Sequence, residues 1–310
     1  MQVEKELAKL QPKKDTLLTI GVFDGVHLGH KYLLSQLTKQ AREQDLLSGV
    51  VTFNRHPHEV LSPQTKLPFL TDLTQRINLL KNEGVDATFT LSFTRELAQL
   101  SARRFVSLLK KYLRMRGMVI GTDFVLGQNQ EGNTDILRSL GQDMKFSVTI
   151  IPPVMINGEV VSSTAIRNAL ADGDMKKVLN LVGRSFSLNG RVTSGAGRGA
   201  ELGFPTANLD IDPGQALPAD GVYATWTDID GQAYQSMTNI GRQPTFGGSQ
   251  RVVEVYILDF HSNLYGRELK IDLIERLRGE KQFDTPEELK KQITEDIKRG
   301  RAILSSRGRG

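Results

Sequence analysis

The chain has 310 residues, which is enough for two domains that each bury a hydrophobic core. Its 40 lysines and arginines against 35 aspartates and glutamates give a net charge of +5. This mild excess disfavours nucleic-acid binding and suits small polyanionic substrates. The absence of cysteine excludes disulfides and thiolate metal sites and fits a cytoplasmic protein. No apolar run is long enough to cross a bilayer, so we expect no membrane association.

In the first half of the chain, short apolar runs alternate with helical patterns. Strands are predicted at residues 17–23, 49–53, 87–91, 118–121 and 146–151, and helices at residues 31–43, 72–82, 101–114 and 134–142. This alternation is typical of an α/β domain whose parallel sheet is covered by helices on both faces.

After Gly183 the pattern changes to alternating strands separated by Gly and Pro turns. Strands are predicted at residues 186–192, 222–227, 235–240, 251–260 and 269–277. Thr285 and Pro286 open a final helix, because a hydroxyl cap followed by proline is a common helix start. This half is therefore predicted to be a small antiparallel β-barrel with a C-terminal helix. The predicted domains are residues 1–183 and 184–310.

The turn between the first strand and the first helix carries Gly25, His27, Gly29 and His30. A glycine-lined turn into a helix N-terminus presents unpaired backbone N–H groups, which attract phosphate. Two alternatives are a histidine pair that only caps the turn and a metal site. The metal site lacks a visible third ligand and second shell.

His56 and His58 follow the second predicted strand, so four of the five histidines lie between residues 27 and 58. If the two strands are parallel neighbours, both histidine pairs lie at the carboxyl edge of one sheet. Open α/β sheets bind their ligands at that edge. We therefore predict that the two pairs converge on one ligand.

Residues 162–167, Ser-Ser-Thr-Ala-Ile-Arg, open a further helix. Hydroxyl side chains at such a position are helix caps by default. Arg167, however, lies one turn into a helix whose N-terminus favours anions, and its planar guanidinium suits phosphate. The segment is a second candidate for a phosphate contact.

A glycine-rich segment spans residues 190–208. Gly195, Gly197 and Ala200 match the dinucleotide fingerprint as a bare pattern, but Pro205 prevents the helix that should follow. No Gly-Lys-Ser/Thr is present, so a Walker A loop is excluded as well. The segment is either a flap over phosphates that carries Arg198 or a plain hairpin loop.

Two further features of the second half carry oxygen ligands. Thr206 and Asn208 are two residues apart, so in an extended chain both side chains project from one face and could share a hard cation. Glu254 lies inside an apolar run. It either faces solvent on an edge strand or points into a site, and the composition alone favours neither.

These segments closely resemble the bacterial bifunctional riboflavin kinase/FAD synthetase family over nearly the full length of the chain. The His-x-Gly-His of residues 27–30 is shared by many nucleotidylyltransferases, whereas its ordered combination with Pro-Thr-Ala-Asn at residues 205–208 is highly specific. The segments that carry the resemblance are residues 21–30, 52–57, 121–132, 162–167, 202–208, 239–246, 253–260, 264–266 and 277–283.

The resemblance implies a Rossmann-like adenylyltransferase domain followed by a β-barrel kinase. It implies two reactions: riboflavin and ATP give FMN and ADP, and FMN and ATP give FAD and pyrophosphate. Riboflavin, FMN and ATP are then the small-molecule partners, and Mg²⁺ is the metal. The sequence does not fix an oligomeric state.

In the first domain, the resemblance assigns His27 and His30 to the charge that develops on the phosphates of ATP and Arg167 to the leaving pyrophosphate. It places Asn54, His56 and Asp123 at FMN. The implied ATP contacts are Gly21, Phe23, Asp24, Gly25, Gly29, Ser163 and Thr164.

In the second domain, the resemblance makes Thr206 and Asn208 the Mg²⁺ ligands and Glu254 the general base that takes a proton from the ribityl hydroxyl. The implied nucleotide and flavin contacts are Gly195, Gly197, Arg198, Gly199, Asn239 and Arg278.

The chain departs from the family at four positions, where basic residues are common. These positions hold Val125, Leu126, Gln130 and Gln243, the last with Arg242 one place earlier. Weaker substrate binding in the first domain is one expected consequence. The rival functions are a riboflavin kinase whose first domain is inactive or uses another acceptor, and a flavin-binding regulatory or storage protein.

Overall fold

The computed structural model describes residues 1–62, 64, 67–195, 198–245 and 248–307, without the side chains of residues 198, 200, 243–245 and 248–250. The chain divides into two compact units, Met1–Ser163 and Thr164–Gly310. The sequence predicted a boundary after residue 183, and this boundary stays a prediction. The residues between the two possible boundaries, 164–183, form mainly two helices. No helix in the described ranges is long and apolar enough to span a membrane.

The first unit is an α/β fold, as predicted. Its helices are α1 (Gln2–Leu7), α2 (Leu28–Glu43), α3 (Pro57–Leu61), α4 (Leu73–Asn82), α5 (Arg95–Ala98), α6 (Ala102–Leu113) and α7 (Thr134–Met144). Its strands are β1 (Thr16–Ile20), β2 (Leu47–Phe53), β3 (Ala87–Leu91), β4 (Met115–Gly121), β5 (Ser147–Ile151), β6 (Met155–Ile156) and β7 (Glu159–Val160). A five-stranded parallel sheet has the order β3-β2-β1-β4-β5, and β6 and β7 form a separate hairpin.

The central strand β1 is buried along its whole length. Successive residues of a strand point to opposite faces, and Leu17 packs in a cluster with Leu34 of α2 whereas Leu18 packs in a cluster with Phe105 of α6. Apolar residues on both faces of β1 explain why its sequence reads as a continuous apolar run.

One local prediction for this unit was wrong, and one helix was not predicted. The first strand ends at Ile20 and not at Phe23, because Phe23 has a left-handed backbone with φ 55°. The N-terminal segment contains α1, which the charged sequence did not indicate. Val3 and Leu7, spaced one helical turn apart, bury this helix in the core of the unit.

The second unit is a closed barrel followed by a long helix, as predicted. Its helices are α8 (Ser163–Asp172), α9 (Met175–Val182), α10 (Arg198–Glu201) and α11 (Pro286–Arg307). Its strands are β8 (Phe186–Thr193), β9 (Ala207–Ile211), β10 (Gly221–Ile229), β11 (Gln232–Thr245), β12 (Gly248–Ile257) and β13 (Glu268–Arg278). The barrel order is β10-β11-β12-β9-β8-β13, and all neighbouring strands are antiparallel.

Gly190 is a position in this barrel where no side chain fits. A Cβ there would lie 2.7 Å from Ile211 Cδ1 and 2.9 Å from the Asp210 carbonyl oxygen, and the backbone oxygen belongs to a paired strand and cannot move aside. We expect Gly190→Ala to lower the free energy of unfolding by about 1–3 kcal/mol. Urea unfolding followed by fluorescence of Trp226 on β10 measures this.

The matched control is Gly279→Ala in the same unit. Gly279 is exposed, and a Cβ there would have Arg276 Nη2 at 3.5 Å as its nearest neighbour. This variant should stay within about 0.5 kcal/mol of the parent chain. Equal losses at both positions would contradict the packing argument.

Candidate active sites

The loop between β1 and α2 holds its backbone in strained conformations. Phe23 has φ 55° and Val26 has φ 38°, values that residues other than glycine rarely adopt, and Gly25 has φ 80°. Each such non-glycine residue costs on the order of 1–3 kcal/mol and persists only where its surroundings enforce it. A Cβ on Gly25 would also lie 2.8 Å from Leu70 Cδ1. The strain and close packing identify this loop as a candidate functional segment.

Asp24 enforces the loop conformation. Its buried carboxylate accepts hydrogen bonds from the backbone N–H groups of Leu70, at 2.9 Å, and Thr71, at 3.1 Å. The Thr71 hydroxyl in turn accepts the Gly25 N–H at 3.0 Å, and the Ser163 hydroxyl donates to the Asp24 carbonyl oxygen at 2.9 Å. The carboxylate therefore braces the turn, and the ATP contact that the resemblance implies for Asp24 stays a prediction.

His27 and His30 form a stacked pair at the start of α2. Their ring centroids are 3.6 Å apart with an interplanar angle of 17°. His27 is the N-cap of α2, and its Nδ1 accepts the His30 N–H at 3.3 Å. Because Nδ1 is an acceptor, the ring proton of neutral His27 lies on Nε2. His27 thus caps α2 through Nδ1, and its role at the phosphates of ATP stays a prediction.

His30 is held in its neutral form. Burial of the ring, the stacked His27 and the Arg76 guanidinium lower the pKa of His30 well below its ordinary value. A neutral imidazole can still donate one N–H to a phosphate oxygen.

The low pKa of His30 sets a pH dependence of stability. Below about pH 6.5 the unfolded chain takes up a proton at this histidine that the folded chain does not. The free energy of unfolding should therefore fall as the pH decreases from about 6.5, and His30→Gln should lose that part of the dependence. Urea unfolding by circular dichroism at several pH values measures it. A parent chain and variant with the same pH dependence would contradict the assignment.

Other predicted site residues follow the carboxyl ends of neighbouring strands. As predicted, β1 and β2 are parallel neighbours, so both histidine pairs lie beyond one edge of the sheet. After β2, Asn54 donates to the Ser92 hydroxyl at 3.2 Å, and His56 caps α3 by accepting the His58 N–H at 3.1 Å. Asp123 is exposed in the turn that follows β4, the strand on the other side of β1.

Arg76 of α4 was not predicted as a site residue, because in the sequence it resembles an ordinary polar residue of an amphipathic helix. It is 5% exposed, and its Nη2 donates to the Phe53 carbonyl oxygen at the end of β2 at 2.6 Å. A buried arginine beside a predicted ligand site is a functional candidate. No sequence signal available from one chain distinguishes it from a surface arginine.

The last residues of the first unit, up to Ser163 of the Ser-Ser-Thr segment, contact the loop between β1 and α2. Gly29 allows the Val161 carbonyl to approach, since a Cβ on Gly29 would lie 3.2 Å from that oxygen. Thr164 and Arg167 belong to the second unit, in the first turns of α8. Their predicted contacts with ATP in the first domain stay predictions.

The second unit contains a cavity of about 760 Å³ between the outer face of the barrel and α11. One part of its wall is polar and holds the predicted residues Gly199, Thr206, Asn239, Glu254 and Arg278. The other part is apolar, with Phe204, Val222, Tyr256, Leu289, Ile293 and Ile297. The sequence did not identify these apolar residues, since alternating apolar positions do not tell a cavity wall from a core.

The glycine loop lies directly against Thr206 and Asn208. A Cβ on Gly195 would lie 1.8 Å from Asn208 Nδ2, and one on Gly199 would lie 2.4 Å from the Phe204 carbonyl oxygen and 3.2 Å from Thr206 Oγ1. Glycine is therefore required where the loop crosses these two side chains. Gly197 and the side chain of Arg198 lie outside the described residues. The hydroxyl and amide oxygens of Thr206 and Asn208 are hard ligands that fit Mg²⁺.

Glu254 lies on β12 and lines the cavity. Of the two orientations that the sequence left open, it therefore points into a candidate site and does not face solvent on an edge strand. In the barrel ladders it is paired with Asn208 of β9 on one side and with Asn239 of β11 on the other. The carboxylate of Glu254 is therefore on β12, the strand next to the candidate metal ligand Asn208 of β9. Arg278, on the same cavity wall, donates from Nε to Asp296 at 2.9 Å.

The positions that depart from the family differ in their surroundings. Leu126 is buried in the core of the first unit, whereas Val125 and Gln130 are exposed. In the barrel, Arg242 lies 3.7 Å from the Asp220 carboxylate, and the side chain of Gln243 lies outside the described residues. Whether these positions weaken substrate binding stays a prediction.

A Rossmann-like sheet with two imidazoles at its carboxyl edge and a barrel with a carboxylate-lined cavity define a two-domain nucleotide-dependent transferase. Two family models match the chain, FAD synthetase at residues 9–165 and riboflavin kinase at residues 182–304.

Two relatives have names that agree with this class. The bifunctional riboflavin kinase/FMN adenylyltransferase of Pseudomonas fluorescens is 37% identical over 98% of both chains. Its counterpart in Escherichia coli K12 is 36% identical over 92% of this chain and 91% of the relative. A crystal structure of a macrolide-efflux protein from Streptococcus pneumoniae is similar with a TM-score of 0.89 and 31% identity over 97% of both chains. The chain belongs to the bifunctional riboflavin kinase/FMN adenylyltransferase family.

Proposed function

We propose that this chain makes FAD from riboflavin in two ATP-dependent steps, one in each predicted domain. Residues 184–310 phosphorylate riboflavin to FMN, and residues 1–183 transfer AMP from ATP to FMN. The observation that carries the proposal is that each unit has its own cluster of groups suited to a reacting phosphate. One cluster is the stacked His27 and His30, and the other is the cavity lined by Thr206 and Glu254, with Asn208 paired to Glu254 on the neighbouring strand.

In the adenylyl step, a phosphate oxygen of FMN attacks the α-phosphorus of ATP. The bond from that phosphorus to the bridging oxygen breaks, and pyrophosphate leaves. The nucleophile belongs to the substrate, so the protein contributes positioning and charge stabilisation. His27 and His30 donate N–H groups to the phosphates, and Arg167 with Ser163 and Thr164 holds the leaving pyrophosphate.

In the kinase step, Glu254 takes the proton from the terminal ribityl hydroxyl as its oxygen attacks the γ-phosphorus of ATP. The bond to the bridging oxygen breaks and ADP leaves. The apolar wall with Phe204 and Tyr256 suits a flat aromatic ring system. The polar wall is then left to the ribityl chain and the phosphates.

Thr206 and Asn208 hold Mg²⁺ in this proposal. When bound, the ion neutralises charge on the phosphates of ATP. The chain contributes neutral oxygen ligands, and the glycine loop brings its backbone close to them. We place both reactions in the cytoplasm.

Incubation with riboflavin, ATP and Mg²⁺, followed by chromatography of the flavins, tests the proposal. FAD is the expected product. Accumulation of FMN alone would favour a riboflavin kinase whose first domain is inactive or uses another acceptor. Unchanged but tightly bound riboflavin would favour a flavin-binding protein.

A further inference from the structure

Arg76 has an unusual environment for a charged residue. Only 5% of it is exposed, and the one hydrogen bond described for its guanidinium is that from Nη2 to the Phe53 carbonyl oxygen. Its Nε is buried without a hydrogen-bond partner. Burial of a charge with an unsatisfied donor is costly, and such features are retained where they serve a function.

Charged and titratable groups surround Arg76 on several elements. Asp24 of the strained loop, Glu59 of α3 and Asp72 at the N-terminus of α4 attract its charge, and His30 of α2 lies within electrostatic range. His30 is stacked in turn on His27. Arg76 is thus hydrogen-bonded to the carbonyl end of the strand that precedes the second histidine pair, and the first pair lies within its electrostatic range.

His30 provides the complementary feature. Its Nδ1 is also buried without a hydrogen-bond partner. A buried N–H without an acceptor is costly, and the positive charge of the Arg76 guanidinium, which can only donate hydrogen bonds, further disfavours a donor N–H at Nδ1. The unprotonated Nδ1 is therefore favoured, and the ring proton then lies on Nε2. The helix-cap bond imposes the same tautomer on His27.

We propose that Arg76 is a positioning residue for adenylyl transfer, which keeps His30 as a neutral Nε2–H donor stacked on His27. Its charge also adds a positive potential behind the phosphates. The predicted effect on catalysis rests on the proposed function. The predicted protonation state of His30 does not. Protonation of Nδ1 at acid pH would add a second buried positive charge near Arg76 and displace the His30 ring from its position on His27, so the acid limb of the activity profile should follow this histidine.

The kinetic test compares Arg76→Met and Arg76→Lys in the full chain, with FMN and ATP supplied and FAD measured across pH 5–9. Arg76→Met should lower kcat on the order of 10²-fold, the loss typical of a misplaced reacting group. Its acid limb should also move to higher pH. Arg76→Lys, which keeps the charge, should keep the acid limb near that of the parent chain. Riboflavin kinase activity should be unchanged in both variants, which shows that the second unit is intact.

The second measurement is spectroscopic and compares His30 in the parent chain with His30 in Arg76→Met. Nuclear magnetic resonance of ¹⁵N-labelled parent chain, with His30 assigned by comparison with His30→Gln, should show the neutral Nε2–H tautomer at pH 7 and protonation only well below pH 6.5. A His30 with an ordinary pKa, or the Nδ1–H tautomer, would overturn the proposal. The proposal would also be overturned if the acid limb of the activity profile lay at the same pH in Arg76→Met as in the parent chain. If the parent chain made no FAD, the proposed function would fail, while a His30 pKa that is the same in the parent chain and in Arg76→Met would still remove Arg76 from this role.

Discussion

Glu254→Gln should abolish most of the conversion of riboflavin to FMN, with a loss in kcat of roughly 10²–10⁴-fold, the usual contribution of a general base. The carboxamide has nearly the same shape as the carboxylate but cannot accept the ribityl proton. Because Glu254 faces the cavity between Asn208 and Asn239 in the barrel ladders, substrate binding should change little. The measurement is the initial rate of FMN formation from riboflavin, with KM determined separately.

Two comparisons isolate the effect of Glu254. FAD formation from supplied FMN should stay at the parental rate in the same variant, because the histidine pair lies in the other unit. Glu268→Gln removes an exposed carboxylate from β13 of the same barrel and should leave FMN formation unchanged. A Glu254→Gln variant that kept most of its kinase activity would remove this residue from the mechanism.

His30→Ala should lower FAD formation from supplied FMN by roughly 10²–10³-fold, the cost of removing one preorganised donor from a developing negative charge. His27→Ala should cost at least as much, because His27 also caps α2 and stacks on His30. The rate of FAD formation at saturating FMN and ATP measures both effects.

The control for these two variants is His261→Ala, which removes an exposed imidazole from the barrel unit and should affect neither reaction. Riboflavin kinase activity serves as the internal reference in the histidine variants. Parallel losses of FMN and FAD formation in His30→Ala would mean that the two reactions share one site or that the variant is generally unfolded. Circular dichroism separates these two explanations.

Features encoded by local spacing were predictable from the sequence. The alternation of buried strands and helices gave the α/β unit, and the neighbouring parallel strands β1 and β2 place the two histidine pairs beyond the same sheet edge. The Thr285 cap of α11 is also present, with its hydroxyl accepting the Glu288 N–H at 3.2 Å. Each of these features depends on a few consecutive residues.

Features that depend on distant partners were not predictable. The sequence did not indicate that the carboxylate of Asp24 accepts hydrogen bonds from the backbone of Leu70 and Thr71, 46 and 47 positions away. Arg76 looked like a surface residue of a helix, and only the packing of α4 shows that it is buried near His30. The direction of Glu254 likewise follows from the barrel closure.

The most direct test of two independent phosphate-transfer sites uses ATP labelled in either the α- or the γ-phosphate, with the parent chain, Glu254→Gln and His30→Ala. From riboflavin, the parent chain should carry γ-label into FMN and both labels into FAD. His30→Ala should accumulate γ-labelled FMN with no α-label in any flavin. Glu254→Gln, given FMN, should make FAD that contains only α-label. A single substitution that stopped the transfer of both labels in a folded chain, with FMN supplied for the α-label assay, would contradict the two-site account.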